Sequence, residues 1–160
     1  MLRIPWWRGA RGEWYVVAQL ALFALVAFGP RTWPGGPRIP EAFGLRATGI
    51  VLMAAGFLLM VAGILKIGAK LTALPRPAEE ATLVESGPYR IVRHPMYAGA
   101  ILMAFGWAPL SGGWLTLGYA AILFVFFDLK TRREERWLCE RFPDYPAYRE
   151  RVRKLIPFIY

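Results

Sequence analysis

The chain's one histidine, His94, stands in the run GPYRIVRHPMYAG (residues 87–99), beside Tyr89, Arg93 and Tyr97. An imidazole, a guanidinium and two phenols at this spacing could bind a small polar molecule or move a proton. Pro88 and Pro95 fix backbone angles within the run, and Gly87 and Gly99 permit close backbone approach. Pro95 suits the first turn of a helix, so the amides of Met96, Tyr97 and Ala98 would be open to a carboxylate. A second group, KTRREE at 130–135, lies further along. On a helix Lys130 shares a face with Glu134, and Thr131 with Glu135. Adjacent glutamates diverge by about 100°, so at most one faces a pocket fully and the other can pair with an arginine. Taken singly, these residues have plainer readings: a solvated charged face, a capping histidine, an interfacial tyrosine.

Other chemistry is excluded by count. One histidine and one cysteine, Cys139, leave neither a common zinc site nor an internal disulfide framework, and no metal is expected.

The elements that must position these groups are apolar helices. Hydrophobic residues make up 56% of 160 and charged residues 19%, with seven Trp, seven Tyr and ten Phe; mean hydropathy is +0.35. That composition, in a chain one domain long, specifies an integral membrane protein. Four apolar segments are expected to span: Trp14–Phe28, Leu45–Leu65, Tyr97–Leu110 and Trp114–Phe127. The first is read as retained, because no small-residue cleavage site follows it. The Pro- and Gly-rich stretch 29–44 is an external loop, and PLSGG (109–113) a tight external turn. The net charge of +9 concentrates at the N-terminus, at 66–93 and at 130–154. This flanking pattern fits the cytoplasmic ends of spans and anionic membrane lipids, and not nucleic acid. The expected architecture is all-α. Both termini lie inside, the fourth helix runs from Trp114 to about Arg141 beyond the bilayer, and a basic amphipathic helix carrying Tyr148, Val152 and Leu155 follows on the membrane surface. Residues 1–160 then form a single membrane domain, with two helices in 1–70 and the chemistry in 71–160.

The two polar groups gain meaning together. LVESGPYRIVRHPMYAG, then RREERWLCERF and YPAYRERVRKLIP, resembles in order the isoprenylcysteine carboxyl methyltransferase family, whose relatives include phospholipid methyltransferases. The resemblance covers about half the chain, residues 81–157. It implies an S-adenosylmethionine-dependent methyltransferase with its cofactor site on the cytoplasmic side. The implied cofactor contacts are Thr82, Leu83, Val84, Tyr89, the turn His94–Pro95–Met96–Tyr97, and Glu134, with Glu135 beside it. Where relatives begin that first segment with histidine, this chain has Ala81. Some relatives hold the substrate carboxylate with an arginine four residues before the glutamate; here that position is Lys130, with Arg132 and Arg133 nearby. Lysine supplies the charge without the bidentate fork.

The physical reading is compatible. Glu134 would answer the cofactor's ammonium, and the helix-start amides with His94 its carboxylate or ribose. Tyr89 and Tyr97 would stack on adenine or face the sulfonium. The candidate catalytic residues are thus Lys130, Arg133 and His94. The acceptor is a lipophilic molecule entering from the bilayer, carrying a carboxylate, which needs no base, or an amine or thiol, for which His94 or Glu135 would serve. Two alternatives stay open. The C-terminal run is also similar to that of NADPH-dependent sterol and isoprenoid reductases, and a small non-catalytic membrane scaffold would share the same anchors.

Overall fold

The computed structural model describes residues 12–68 and 82–160. Among them the chain is helical without strands: α1 (Glu13–Phe28), α2 (Phe43–Ile67), α3 (Pro95–Ser111), α4 (Trp114–Arg141) and α5 (Tyr145–Arg151), with a short 3-10 turn at Gly87–Arg90. Ala81, where relatives carry histidine, and the basic residues of the extreme N-terminus lie outside the described residues. By length and composition, α2 and α4 can cross a membrane, while α1 is a shorter apolar helix of 16 residues. Between Thr48 and Lys66 the outer face of α2 is apolar, with Val51, Leu58 and Leu65 largely exposed. Such a surface suits lipid rather than water.

The α2–α3 pair is the tightest unit, and glycine is the reason. Gly49, Gly56 and Gly63 are all buried and recur every two helical turns. They face Gly106, Gly99 and the Pro95–Met96 step of α3. A methyl group added at Gly49 would fall 2.7 Å from the Gly106 carbonyl oxygen, and one at Gly56 would fall 2.5 Å from that of Gly99. Small residues on both sides let the two backbones meet, the usual solution for helices that share no apolar driving force in lipid. This seam holds the start of α3 against the last turns of α2. α4 packs on α3 and α1 through Leu123 and Phe127, both essentially fully buried.

The far end of the bundle is closed by main-chain bonds. Leu115 N donates to Arg31 O and Ile39 N to Gly112 O, each at 3.0 Å. The turn expected at 109–113 starts later than the sequence suggests. Pro109 lies within the last turn of α3, and the reversal falls on Gly112, whose φ of 69° suits glycine. The larger correction concerns the C-terminus. The expected helix is present only as α5, which stops at Arg151, so Val152 and Leu155 lie beyond it and do not continue its face. Backbone pairing wins instead: Arg93 N donates to Arg153 O at 2.8 Å and His94 N to Lys154 O at 3.2 Å. Tyr145 and Tyr148 of α5 are buried rather than interfacial.

Candidate active site

The polar cluster forms where α3 begins and α4 leaves its apolar stretch. His94 is the N-cap of α3, and Pro95 follows at the first position. Proline has no amide to offer, and Ala98 N donates to His94 O at 2.9 Å as the first helical bond. Of the three amides expected to be open, that of Ala98 is therefore engaged, and those of Met96 and Tyr97 remain at the open turn.

The two glutamates diverge. Glu135 turns to the start of α3, where its Oε1 accepts from Arg93 Nε at 2.8 Å and lies 3.2 Å from His94 Nε2. All three side chains are buried. Arg93 also donates through Nη1 to Arg149 O at 3.0 Å and to Val152 O. One carboxylate thus clasps α4, the α3 cap and the C-terminal segment together. Glu134 faces the other way and accepts the Tyr97 hydroxyl at 3.1 Å, its one hydrogen bond among the described residues.

Tyr97 is committed on its ring as well. It stacks on His94 (5.7 Å, 13°) and on Phe127 (4.6 Å, 16°), and Lys130 Nζ sits 4.7 Å from its centroid. The Tyr97 ring is thus packed among His94, Phe127 and Lys130 while remaining partly exposed, and its hydroxyl goes to Glu134. Tyr89 is buried, with its hydroxyl 3.5 Å from Gly63 O. Burial and the nearby Glu134 carboxylate push its phenol well above the usual tyrosine range, so it stays protonated. Tyr148 donates to Tyr89 O at 2.6 Å and fixes that turn from α5.

Lys130 is 1% exposed. Its ammonium donates to Gln19 Oε1 at 2.6 Å and has no carboxylate within ion-pair distance among the described residues. Gln19, on α1, is absent from the sequence candidates. The signal that could have found it is a lone amide in the apolar run 14–28, since polar side chains inside such helices are costly and tend to serve a purpose. Arg133, by contrast, is exposed and lies over the Trp137 ring at 5.2 Å, apart from the cluster. Arg132 pairs with Asp128 at 2.7 Å. Thr82 is exposed, while Leu83 and Val84 line a cavity of about 810 Å³ with Glu85, Ser86 and Tyr148. A second, almost wholly apolar groove of about 490 Å³ runs between α1, α2, α3 and α4, lined by Phe23, Met53, Met60, Ala100, Ala104 and Leu123. Gln19, Tyr97 and Lys130 do not line this groove, but lie one or two turns from Phe23, Ala100 and Leu123 on the same three helices.

Comparison with known proteins agrees with this architecture. Residues 45–144 match the phospholipid methyltransferase family, well over half of the chain, and the chain belongs to that family. It is 39% identical over 79 residues to a protein-S-isoprenylcysteine O-methyltransferase of Schizosaccharomyces pombe, covering 48% of this chain and 34% of that one. It is 28% identical over 147 residues to the cobalt-zinc-cadmium resistance protein CzcN of Cupriavidus metallidurans, covering 91% and 62%. Among solved structures it resembles the eukaryotic intramembrane Ras methyltransferase ICMT, an isoprenylcysteine carboxyl methyltransferase. The TM-score is 0.68 at 25% identity, over 91% of this chain and 51% of that one. The chain thus spans between about a third and three fifths of the length of these relatives.

Proposed function

We propose that the chain is an S-adenosylmethionine-dependent integral membrane methyltransferase whose acceptor is a lipophilic carboxylate. The observation that carries this is Lys130. A buried ammonium with no carboxylate within ion-pair distance among the described residues, only the Glu134 charge acting from further off, is expensive, costing several kcal/mol even after relaxation. Gln19 and the Tyr97 ring offset part of that, the ring by about 2 kcal/mol. The remainder favours an anionic guest, and the apolar groove one or two turns away suits a long hydrocarbon tail. An ammonium acceptor would be repelled from the same place.

The residues present fit the cofactor's chemistry. The Glu134 carboxylate, hydrogen-bonded by one phenol, would hold an ammonium. The amides of Met96 and Tyr97, at the open end of a 17-residue helix, would hold a carboxylate or a ribose hydroxyl. Leu83 and Val84 would wall the cavity in which the less polar part lies, with Thr82 at its edge. When bound, the cofactor supplies a methyl group on a sulfonium. Lys130 holds the acceptor carboxylate, and Gln19 keeps that ammonium from swinging away. A carboxylate is already ionised, so no base is needed, and His94 serves as a positioning residue through Glu135. Alignment of this kind supplies up to about 7–11 kcal/mol of a barrier, and packing around Phe127 and Tyr97 keeps water out. Arg133, turned outward, has no part in this scheme.

In this reading all four long helices lie in the bilayer, with the Glu134 end cytoplasmic, and residues 1–160 act as one membrane domain in which 71–160 carries the cofactor. The calorimetric titration of detergent-purified protein with S-adenosylmethionine and with NADPH tests it. Binding of the first alone is expected. Binding of NADPH alone would make the protein a reductase, and binding of neither would make it a scaffold.

A further inference from the structure

A third cavity, a cleft of about 520 Å³, reaches the Arg93–Glu135 clasp and is lined by none of Leu83, Val84, Tyr89, Lys130 or Glu134. Arg132 and Arg136 of α4 form one wall, Arg149 of α5 another, and Arg153 and Lys154 of the C-terminal segment close it. Arg93 stands at the floor and is already neutralised by Glu135. Arg132 and Lys154 share a single carboxylate, Asp128. Arg136, Arg149 and Arg153 have no carboxylate within ion-pair distance among the described residues. Three chain segments thus bring cations face to face, although like charges at this range repel. Arg132 and Arg136 even stand four apart on one helix.

The cleft's level in the fold indicates the source of the missing anion. Tyr160 folds back to Asp128, donating to its Oδ1 at 2.8 Å, and packs on Phe124 with ring centroids 6.5 Å apart. Phe124 belongs to the apolar stretch of α4, so the cleft opens where that helix leaves hydrocarbon, and Arg136 stands only about 12 Å above Asp128 along the axis. The same tail presents Phe158 and Ile159 to the outside, 87% and 76% exposed. Phe158 does so at φ 64°, a left-handed backbone that a bulky side chain rarely adopts. The turn is held by Leu155 N and Ile156 N donating to Tyr160 O at 2.8 and 2.7 Å. Two outward apolar side chains beside a cationic cleft suit the headgroup boundary, where aromatic and aliphatic groups enter the acyl region and arginines meet phosphate.

We propose that this cleft binds the phosphate of an anionic phospholipid headgroup, seated between Arg136, Arg149 and Arg153, with Phe158 and Ile159 in the acyl boundary beside it. The test uses the full chain in zwitterionic detergent, titrated calorimetrically with short-chain phosphatidylglycerol, short-chain phosphatidylcholine and inorganic phosphate. Phosphatidylglycerol should bind about tenfold tighter than phosphatidylcholine, and the preference should weaken as salt is raised. The triple variant Arg136→Gln, Arg149→Gln, Arg153→Gln should lose most of that preference. The corresponding triple lysine variant should keep it, which separates loss of charge from loss of folding. Equal binding of the two lipids, or an unchanged preference in the glutamine variant, would overturn the proposal. So would inorganic phosphate binding as tightly as phosphatidylglycerol, which would make the cleft a site for free phosphate.

Discussion

Replacing Glu135 by Gln should cost stability, whereas the same change at Glu134 should cost cofactor binding. Glu135 joins two buried partners, Arg93 at 2.8 Å and His94 at 3.2 Å. Breaking a buried ion pair from one side typically costs about 3–5 kcal/mol, because the abandoned charge stays buried. Arg93 keeps two carbonyl acceptors, Arg149 O and Val152 O, so the lower end of that range applies, about 3 kcal/mol. For a chain of this size that corresponds to a fall of roughly 6–12 °C in Tm. Glu134 has no ion-pair partner among the described residues, and a glutamine there can still accept the Tyr97 hydroxyl. Its Tm should move by less than about 1 kcal/mol equivalent, while affinity for S-adenosylmethionine should fall at least about tenfold through loss of a charge-assisted contact. Thermal unfolding of both variants in one detergent, paired with calorimetric titration of the cofactor, reads the two effects separately. Equal Tm losses, or a Glu135→Gln variant that loses affinity at unchanged Tm, would refute the division of roles.

Other consequences follow from the packing. Gly99→Val should separate α2 from α3, because the added carbon would sit 2.9 Å from Met60 N as well as against the Gly56 carbonyl; a loss of about 3 kcal/mol or failure to accumulate is expected, read by expression and Tm. Tyr148→Phe removes the 2.6 Å bond to Tyr89 O and strands that carbonyl, costing about 1–2 kcal/mol. Tyr145→Phe should be neutral or stabilising by up to about 1 kcal/mol, since its buried hydroxyl has no hydrogen-bond partner among the described residues. Urea or thermal unfolding of the pair checks both signs.

Much of the helical plan was legible because apolar runs and breakers are local signals. α4 runs from Trp114 to Arg141, and no proline interrupts it before Pro143. The divergence of Glu134 and Glu135 follows from helix geometry, but which one meets Arg93 depends on where α3 starts relative to α4, a tertiary fact. The C-terminus departs from its local pattern for a related reason. Tyr148, Val152 and Leu155 have helical spacing, yet a backbone pairing with Arg93 and His94, distant in sequence, ends the helix at Arg151. The glycine seam is written in the sequence, where Gly49, Gly56 and Gly63 stand seven apart, as do Gly99 and Gly106. Gln19 shows the limit most clearly. Its type was a signal, but its partner Lys130 is 111 residues away, and only packing of α1 on α4 brings them together.

Lys130 is the seat of the acceptor carboxylate in the proposed reaction. The decisive measurement is transfer of labelled methyl from S-adenosylmethionine into organic-extractable product, by the reconstituted protein supplied with native lipid extract. Wild type should give label that alkali releases as methanol, the signature of a methyl ester. Lys130→Met should lower that yield at least about tenfold with cofactor affinity held within about threefold. Alkali-stable label, or a Lys130→Met variant that loses turnover and cofactor affinity together, would contradict it.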